Sequence, residues 1–309
     1  MNNKPKIAVL MSTYNGEKYL KEQIDSILAQ KEVEVYLFVR DDVSSDRTLS
    51  ILEKYKEQNK LNYVIGKKNI GAGCSFLHLL YKTPEGFDYY AWSDQDDVWL
   101  DDKLESAVNL INKSGKQLYM SNLMCVDKNL NEIGLRNNVP ADTSVYSIMC
   151  ENQTNGCTMV FTNSFRNILV DVSRRPDDSL FMSRYHDTWT GMVGAIQDEI
   201  IYDFNQHILY RQHEANEVGS IVYNSPAKKM KVKLKKIRNS GKRNGRSKAA
   251  VELVRCYPEY INGDEFILAL ANPNKLANKV KLIKMYSFYR KHATQDRLSY
   301  ILYVLFGLI

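Results

Sequence analysis

IAVLMSTYNGEKYLKEQIDSILAQ, residues 7–30, decides how this chain folds. Ile7 to Met11 is an apolar run of strand length. Ser12, Thr13, Tyr14, Asn15 and Gly16 then interrupt it with turn-forming residues. Over residues 17–30 the period changes. Leu20, Ile24, Ile27 and Leu28 recur at helical spacing, which predicts an amphipathic helix. Val33–Val39 reads as a second strand ending at Arg40-Asp41-Asp42. Ser44, Ser45 and Asp46 are N-cap candidates for a helix through Leu49, Leu52 and Tyr55. Leu61–Ile65 reads as a third strand, residues 71–82 as a helix, and Phe87–Trp92 as a fourth strand that stops at Ser93-Asp94. The alternation predicts βαβ units: an α/β fold whose mostly parallel, Rossmann-like sheet carries helices on both faces. Ligands of such sheets bind beyond the carboxyl ends of the strands. The polar clusters at 12–16, 41–46 and 94–97 all fall there.

The second half is less regular. A helix is expected after Asn163, another after His186, and a short strand near Ile200-Ile201-Tyr202. Past Gly219 the composition shifts to basic, then amphipathic, helical segments broken at Gly241, Gly245, Pro258 and Pro273. One domain over residues 1–222 and a helical C-terminal region over 223–309 follow from that shift.

A hydrophobic fraction of 44% with 25% charged residues suits a soluble globular chain. No segment reaches the roughly 18 apolar residues of a membrane span; Leu298–Ile309 comes nearest. The N-terminus lacks the apolar core of a signal peptide. The five cysteines are odd in number and scattered, which argues against a disulfide framework or zinc site and for a reducing compartment. A cytoplasmic location is therefore expected. Residues 226–248 carry eleven Lys or Arg and no acid, so this one segment accounts for a net charge of +6.

The sharpest chemical feature is Ser93-Asp94-Gln95-Asp96-Asp97-Val98-Trp99. Three carboxylates lie within four residues, just past an apolar strand. Crowded anions repel, and a divalent cation such as Mg²⁺ or Mn²⁺ relieves them, taking carboxylate and diphosphate oxygens. A solvated loop capping the next helix is the plainer reading, but Asp101 and Asp102 already serve that purpose.

S-T-Y-N-G, R-D-D-x-S-S-D-x-T and S-D-Q-D-D-V-W, in this order and spacing, resemble glycosyltransferase family 2. His186-Asp187 before a helix and Tyr210-Arg-Gln-His213-Glu-Ala-Asn216-Glu-Val-Gly219 extend the resemblance to its bacterial rhamnosyltransferase-like branch. It covers residues 6–220, with weaker echoes at Tyr289-Arg290-Lys291 and Leu305-Phe306-Gly307. The resemblance implies the GT-A fold and an inverting, metal-dependent transfer of sugar from a nucleotide-sugar. Thr13, Tyr14 and Asn15 would contact the nucleotide, Asp42 the base or ribose, and Asn69 and Gly71 would lie beside the base. Asp94 and Asp96 would be the acids of the D-x-D motif, with Gln95 between them at the donor. Asp94, Asp96 and His213 would hold Mn²⁺ or Mg²⁺, and Asp187 would be the catalytic base. A dTDP-β-L-rhamnose donor would yield an α-L-rhamnoside on a lipid-linked surface polysaccharide precursor.

Each residue also has a plainer reading. Asp187 can cap its helix; His213 can be a surface or core histidine; His186 can orient Asp187 or stand by. Trp99 and Trp189 can stack on a sugar or pack in the core. Arg211 can meet diphosphate through its fork or make an ordinary ion pair. Asn155 and Gly156 can line the acceptor site or form a tight turn. Two departures from the family pattern fall near the site. Val43 stands where glycine is frequent, so a different local turn is expected, and Thr188 replaces an aromatic after His-Asp.

Competing functions keep the same residues. A UDP-hexose or UDP-N-acetylhexosamine donor preserves the chemistry. A non-catalytic nucleic-acid-binding protein would use the 226–248 run, but the rest of the chain is acidic. A nucleotidyltransferase would need a glycine-rich triphosphate loop that the chain lacks. The basic run, with Phe266, Leu268, Leu270, Leu282, Ile283, Tyr286, Phe288 and Tyr289 downstream, suits an anionic membrane surface at the inner face of the cell membrane. A homo-oligomer interface is its other use; nucleic acid is not expected as a partner.

Overall fold

The computed structural model describes residues 4–151, 155–182, 186–213, 245–293, 295 and 297–306. Its elements in order are β1 (Lys6–Thr13), α1 (Leu20–Leu28), β2 (Glu34–Asp41), α2 (Thr48–Glu57), β3 (Leu61–Ile65), α3 (Ala72–Lys82), β4 (Tyr89–Ser93), β5 (Val98–Trp99), α4 (Lys103–Ser114), β6 (Leu118–Val126) and β7 (Glu132–Leu135). There follow α5 (Val145–Cys150), β8 (Val160–Thr162), α6 (Asn163–Val170), α7 (His186–Ile196), β9 (Ile200–Arg211), α8 (Gly245–Cys256), α9 (Pro258–Ile261), α10 (Glu265–Ala271), α11 (Leu276–Lys284), α12 (Tyr286–His292) and α13 (Arg297–Leu305). They form two compact units that interleave along the chain, where the composition shift suggests a single cut near residue 222. One comprises residues 1–141, 154–170 and 198–213, the other residues 142–153, 171–197 and 214–309.

The first unit is built on one mixed sheet in the order β3-β2-β1-β4-β8-β6-β9-β5, with β7 paired to β6. β3, β2, β1 and β4 are mutually parallel. β8 runs antiparallel to both β4 and β6, and β9 runs parallel to β6. The carboxyl ends of β1, β2, β3, β4, β6 and β9 therefore share one edge, where the sequence places its polar clusters. Strand alternation separates the two faces. Ile7, Val9 and Met11 of β1 join Ala91 of β4 in a core with Leu20, Ile24 and Ile27 of α1, Leu52 of α2 and Leu104, Val108 and Ile111 of α4. Trp92 of β4 meets Phe76 of α3 and Phe161 of β8, and Phe161 in turn meets Phe165 of α6. Helices thus cover both faces, as the βαβ pattern requires.

β9 holds a pH-sensitive brace. Where its register with β6 shifts, Asp203 and His207 turn inward. His207 Nε2 lies 3.2 Å from Asp203 and Nδ1 3.1 Å from Asp102, at the start of α4. Burial lowers the imidazole's pKa, but hydrogen bonds to Asp203 and Asp102 outweigh it and the net shift is upward. A raised folded-state pKa contributes stability below about pH 6.5 that is lost as pH rises through the folded value. Denaturant midpoints measured across that range should fall with rising pH in the wild type more than in His207→Gln. Parallel profiles would remove His207 from the account.

The second unit is helical, and α5, α7 and α8–α13 all belong to it. Among the described residues no helix is long and apolar enough to cross a membrane. Residues 226–244 of the basic run lie outside the described residues, as do 214–219 of the motif that starts at Tyr210.

Candidate functional site

The loop after β1 is stitched to its neighbours mainly by side chain to backbone bonds. Asn15 adopts φ 47°, a left-handed conformation that asparagine tolerates. Its backbone N–H donates to Ser44 Oγ (2.9 Å), and its Oδ1 accepts from the Ser45 N–H (2.8 Å). Gly16 N–H donates to Thr48 Oγ1 at 2.8 Å. Gln95 reaches over from the acidic loop: Oε1 accepts from Tyr14 N–H (2.9 Å) and Nε2 donates to Tyr14 O (3.1 Å). A Cβ at position 16 would push that amide aside and loosen the grip. Gln95 thus grips the β1 loop, and the grip leaves the Tyr14 ring 50% exposed and able to meet a nucleotide. Thr13 is buried, its hydroxyl donating to Asp41 at 2.9 Å.

Asp42 is buried beneath this surface. Its carboxylate accepts from Arg40 Nη1 (2.7 Å), Ile70 N–H (3.0 Å) and Gly71 N–H (2.8 Å). In this arrangement the carboxylate holds the entry to α3. Asn69 Oδ1 also accepts from the Gly71 N–H, at 3.1 Å, and Gly71 itself has φ 80°. The turn after Asp42 is left-handed: Val43 adopts φ 69°, and the valine carries the strain of that conformation. Val43→Gly should raise unfolding free energy by about 0.5–1 kcal/mol, the left-handed penalty less glycine's extra chain entropy. An unchanged or lower denaturant midpoint would show that Val43 is unstrained.

The acidic loop leaves β4 and meets the end of β9. His213 Nε2 lies 2.8 Å from Asp96 Oδ2, and the His213 ring packs 5.2 Å from that of Tyr19. Residues 117 apart in sequence are thereby joined. Asp94 lies with Asp97 and Cys157 in a cluster whose ligand atoms are all within 4.8 Å. Asp97 is fully buried, and its Oδ1 accepts from the Arg211 N–H at 3.1 Å. Burial, then the charges of Asp96 and Asp94, push its pKa well above the carboxylate range. Burial, then the charges of Asp97 and Asp94, push the pKa of the Cys157 thiol up as well. Mg²⁺ and Mn²⁺ favour oxygen and imidazole donors over sulfur, and Asp94, Asp96 and His213 are donors of those kinds.

The sequence gives no sign of the layer beneath. Lys103 is buried with Nζ 3.4 Å from the Trp99 ring centroid, and burial brings its pKa down to about 7. Trp99 is 3% exposed and packs in the core, which corrects its reading as a sugar platform. Arg211 is corrected too. Its Nε donates to Asp96 O (2.9 Å), Nη1 to Lys128 O (2.9 Å) and Nη2 to Glu22, and the guanidinium lies 4.3 Å over the Tyr19 ring. At 2% exposure the fork braces the acidic loop and is not offered to a diphosphate. Gly156 opens a buried 3₁₀ turn to Thr158, and Asn155 O accepts the Thr158 N–H at 3.0 Å, so the tight-turn reading of this pair holds.

In the helical unit, Asp187 occupies the first turn of α7, half-buried, with Oδ1 accepting from the Thr188 N–H at 2.6 Å. α7 begins one residue earlier, at His186, so Asp187 lies inside the helix and is not its N-cap. His186 is buried and held neutral, its pKa lowered to about 3 by burial. Trp189 is 1% exposed, with its ring 6.0 Å from Tyr257. It belongs to the core of that unit, which corrects its reading as a sugar contact.

Known proteins share this sequence pattern and fold. Residues 8–175, over half of the chain, match the sequence profile of Glycosyl transferase family 2. The chain is 30% identical over 221 residues to the dTDP-rhamnosyl transferase RfbG of Shigella flexneri, spanning 68% of this chain and 74% of that one. It is 35% identical over 109 residues to an uncharacterized glycosyltransferase of Rickettsia typhi, of which it spans 33%. The crystal structure of S. aureus TarS 1–349 in complex with UDP-GlcNAc superposes with a TM-score of 0.60 at 18% identity, covering 98% of this chain and 88% of that one. The chain belongs to glycosyltransferase family 2 and is a glycosyltransferase with a GT-A-like fold.

Proposed function

We propose that the chain moves L-rhamnose from dTDP-β-L-rhamnose to a hydroxyl of a lipid-linked polysaccharide precursor, with inversion, at the inner face of the cell membrane. The carrying observation is the Asp96–His213 contact at the carboxyl edge of the sheet, beside the loop that Gln95 fixes. The name of the Shigella relative supports rhamnose as the sugar. Tyr14 meets the nucleotide, and Asp94, Asp96 and His213 hold the cation. Bound Mn²⁺ or Mg²⁺ supplies positive charge against the departing diphosphate. Asp187 takes the proton of the acceptor hydroxyl as its oxygen bonds to the anomeric carbon and the bond to dTDP breaks on the opposite side. A β-linked donor then gives an α-linked product.

The deciding experiment is a donor screen. Purified protein is given Mn²⁺ or Mg²⁺, a lipid-linked acceptor and a panel of dTDP- and UDP-sugars, and nucleoside diphosphate release is followed. Release from dTDP-rhamnose alone, abolished by EDTA, is expected. Preference for UDP-GlcNAc, the ligand in the TarS complex, would keep the reaction and discard rhamnose. Silence throughout, with no donor binding by calorimetry, would sink the proposal.

A further inference from the structure

The apolar residues of the C-terminal helices divide into two sets. Of the residues the sequence offers for a membrane surface, Phe266, Leu270, Leu282 and Tyr289 are buried within the helical unit, and Leu268 is exposed. Another set faces out on the last helices. On α11, Leu276 is 77% and Val280 45% exposed, one helical turn apart. Along α13, Leu298, Leu302 and Leu305 follow at spacings of four and three, ending at Phe306, which is 72% exposed. α13 spends its opposite side on packing. Tyr300 stacks on Tyr289 at 4.2 Å and donates to Leu282 O at 2.9 Å, and Val304 is buried one turn on. Lys279 Nζ donates to Leu305 O at 2.7 Å, which together with the Tyr300–Leu282 bond sets α11 and α13 side by side in opposite directions.

The charge around this ridge has one sign. Residues 273–306 carry seven Lys or Arg and one acid. Lys275, Lys284, Arg290, Lys291 and Arg297 are exposed. Apolar side chains flanked by cations match an anionic lipid surface, where the ridge enters the acyl boundary and the lysines meet headgroups. A symmetric pairing with a second copy would set these cations against one another. We infer that the outward ridge of α11 and α13 is a docking surface for an anionic bilayer. This deepens the proposed location at the membrane by giving it an address in the fold, and it does not depend on the identity of the donor.

Co-sedimentation of the full chain with phosphatidylcholine vesicles, with and without phosphatidylglycerol, tests it. Binding is expected only with phosphatidylglycerol and should weaken with salt. Leu302→Glu/Phe306→Glu should release the protein from those vesicles. Lys275→Gln/Lys284→Gln/Lys291→Gln should weaken binding by roughly a hundredfold, from about fivefold per charge. Circular dichroism and nucleoside diphosphate release from donor in detergent should stay as in the wild type for both variants. These control readouts separate failure of the docking surface from failure of the transferase reading. The inference is overturned if the wild type binds neither vesicle, if the Glu variant binds as the wild type does because the 226–244 run suffices, or if light scattering shows a dimer that the Glu variant dissolves.

Discussion

Asp96→Asn is expected to lower metal-dependent nucleoside diphosphate release by roughly a thousandfold, the scale on which charge stabilisation at a leaving group acts. The carboxylate it removes is the one that meets His213 at 2.8 Å, and it stands beside two other acids. Removing one negative charge from that crowd should leave the melting temperature unchanged or slightly raised, because the side chain keeps its shape and like-charge repulsion falls. Loss of activity with gain of stability is the signature of a site residue, and a structural residue would lose both. Titration of Mn²⁺ into the variant, followed by electron paramagnetic resonance, should show weakened binding without any donor. Retention of near wild-type turnover or of wild-type Mn²⁺ affinity would remove Asp96 from the metal site.

The second large effect is expected at Asp187. Asp187→Asn should lower kcat by about 10²–10⁴-fold, the range of general-base catalysis. Donor KM and Mn²⁺ binding should not change. The asparagine Oδ1 can still accept the Thr188 N–H that the carboxylate accepts at 2.6 Å, so α7 should keep its start and the protein its melting temperature. A purely local role in that first turn predicts the reverse pattern, a lowered melting temperature with little change in rate. The two outcomes exclude each other, which makes this substitution a clean test of the base.

The parallel half of the sheet was legible because each of its strands is short, apolar and closed by turn residues. Leu61–Ile65 is read at its observed bounds, and Ile7–Met11 falls inside β1. β6 and β9 were not legible for opposite reasons. β6, LYMSNLMCV, is buried along nearly its whole length and shows no alternation to read. β9 runs from Ile200 to Arg211, but its middle, Asp203 to His207, is polar apart from Phe204 where the register shifts, so only its first residues look like a strand. The acidic loop was visible as a charge cluster. Its meeting with His213 was reachable only through family resemblance, since no local pattern links residues so far apart. Arg211 and Trp99 were misplaced for a shared reason. Composition names a side chain's chemistry, but the strand's facing direction decides whether that chemistry meets water, and both residues face inward. At the C-terminal helices the period was readable, but the choice of outward face depends on which neighbours pack.

All five cysteines are buried, and Cys157 sits against Asp94 and Asp97 beside the proposed cation site. A thiol-alkylating reagent can reach that sulfur only when the surrounding loops part. Its labelling rate is therefore a clock for local opening of the site. Donor and cation together should slow the clock at Cys157 while leaving it unchanged at Cys256, in the helical unit. The protein thus carries its own internal reporter of ligand occupancy, readable by mass spectrometry without any engineered probe.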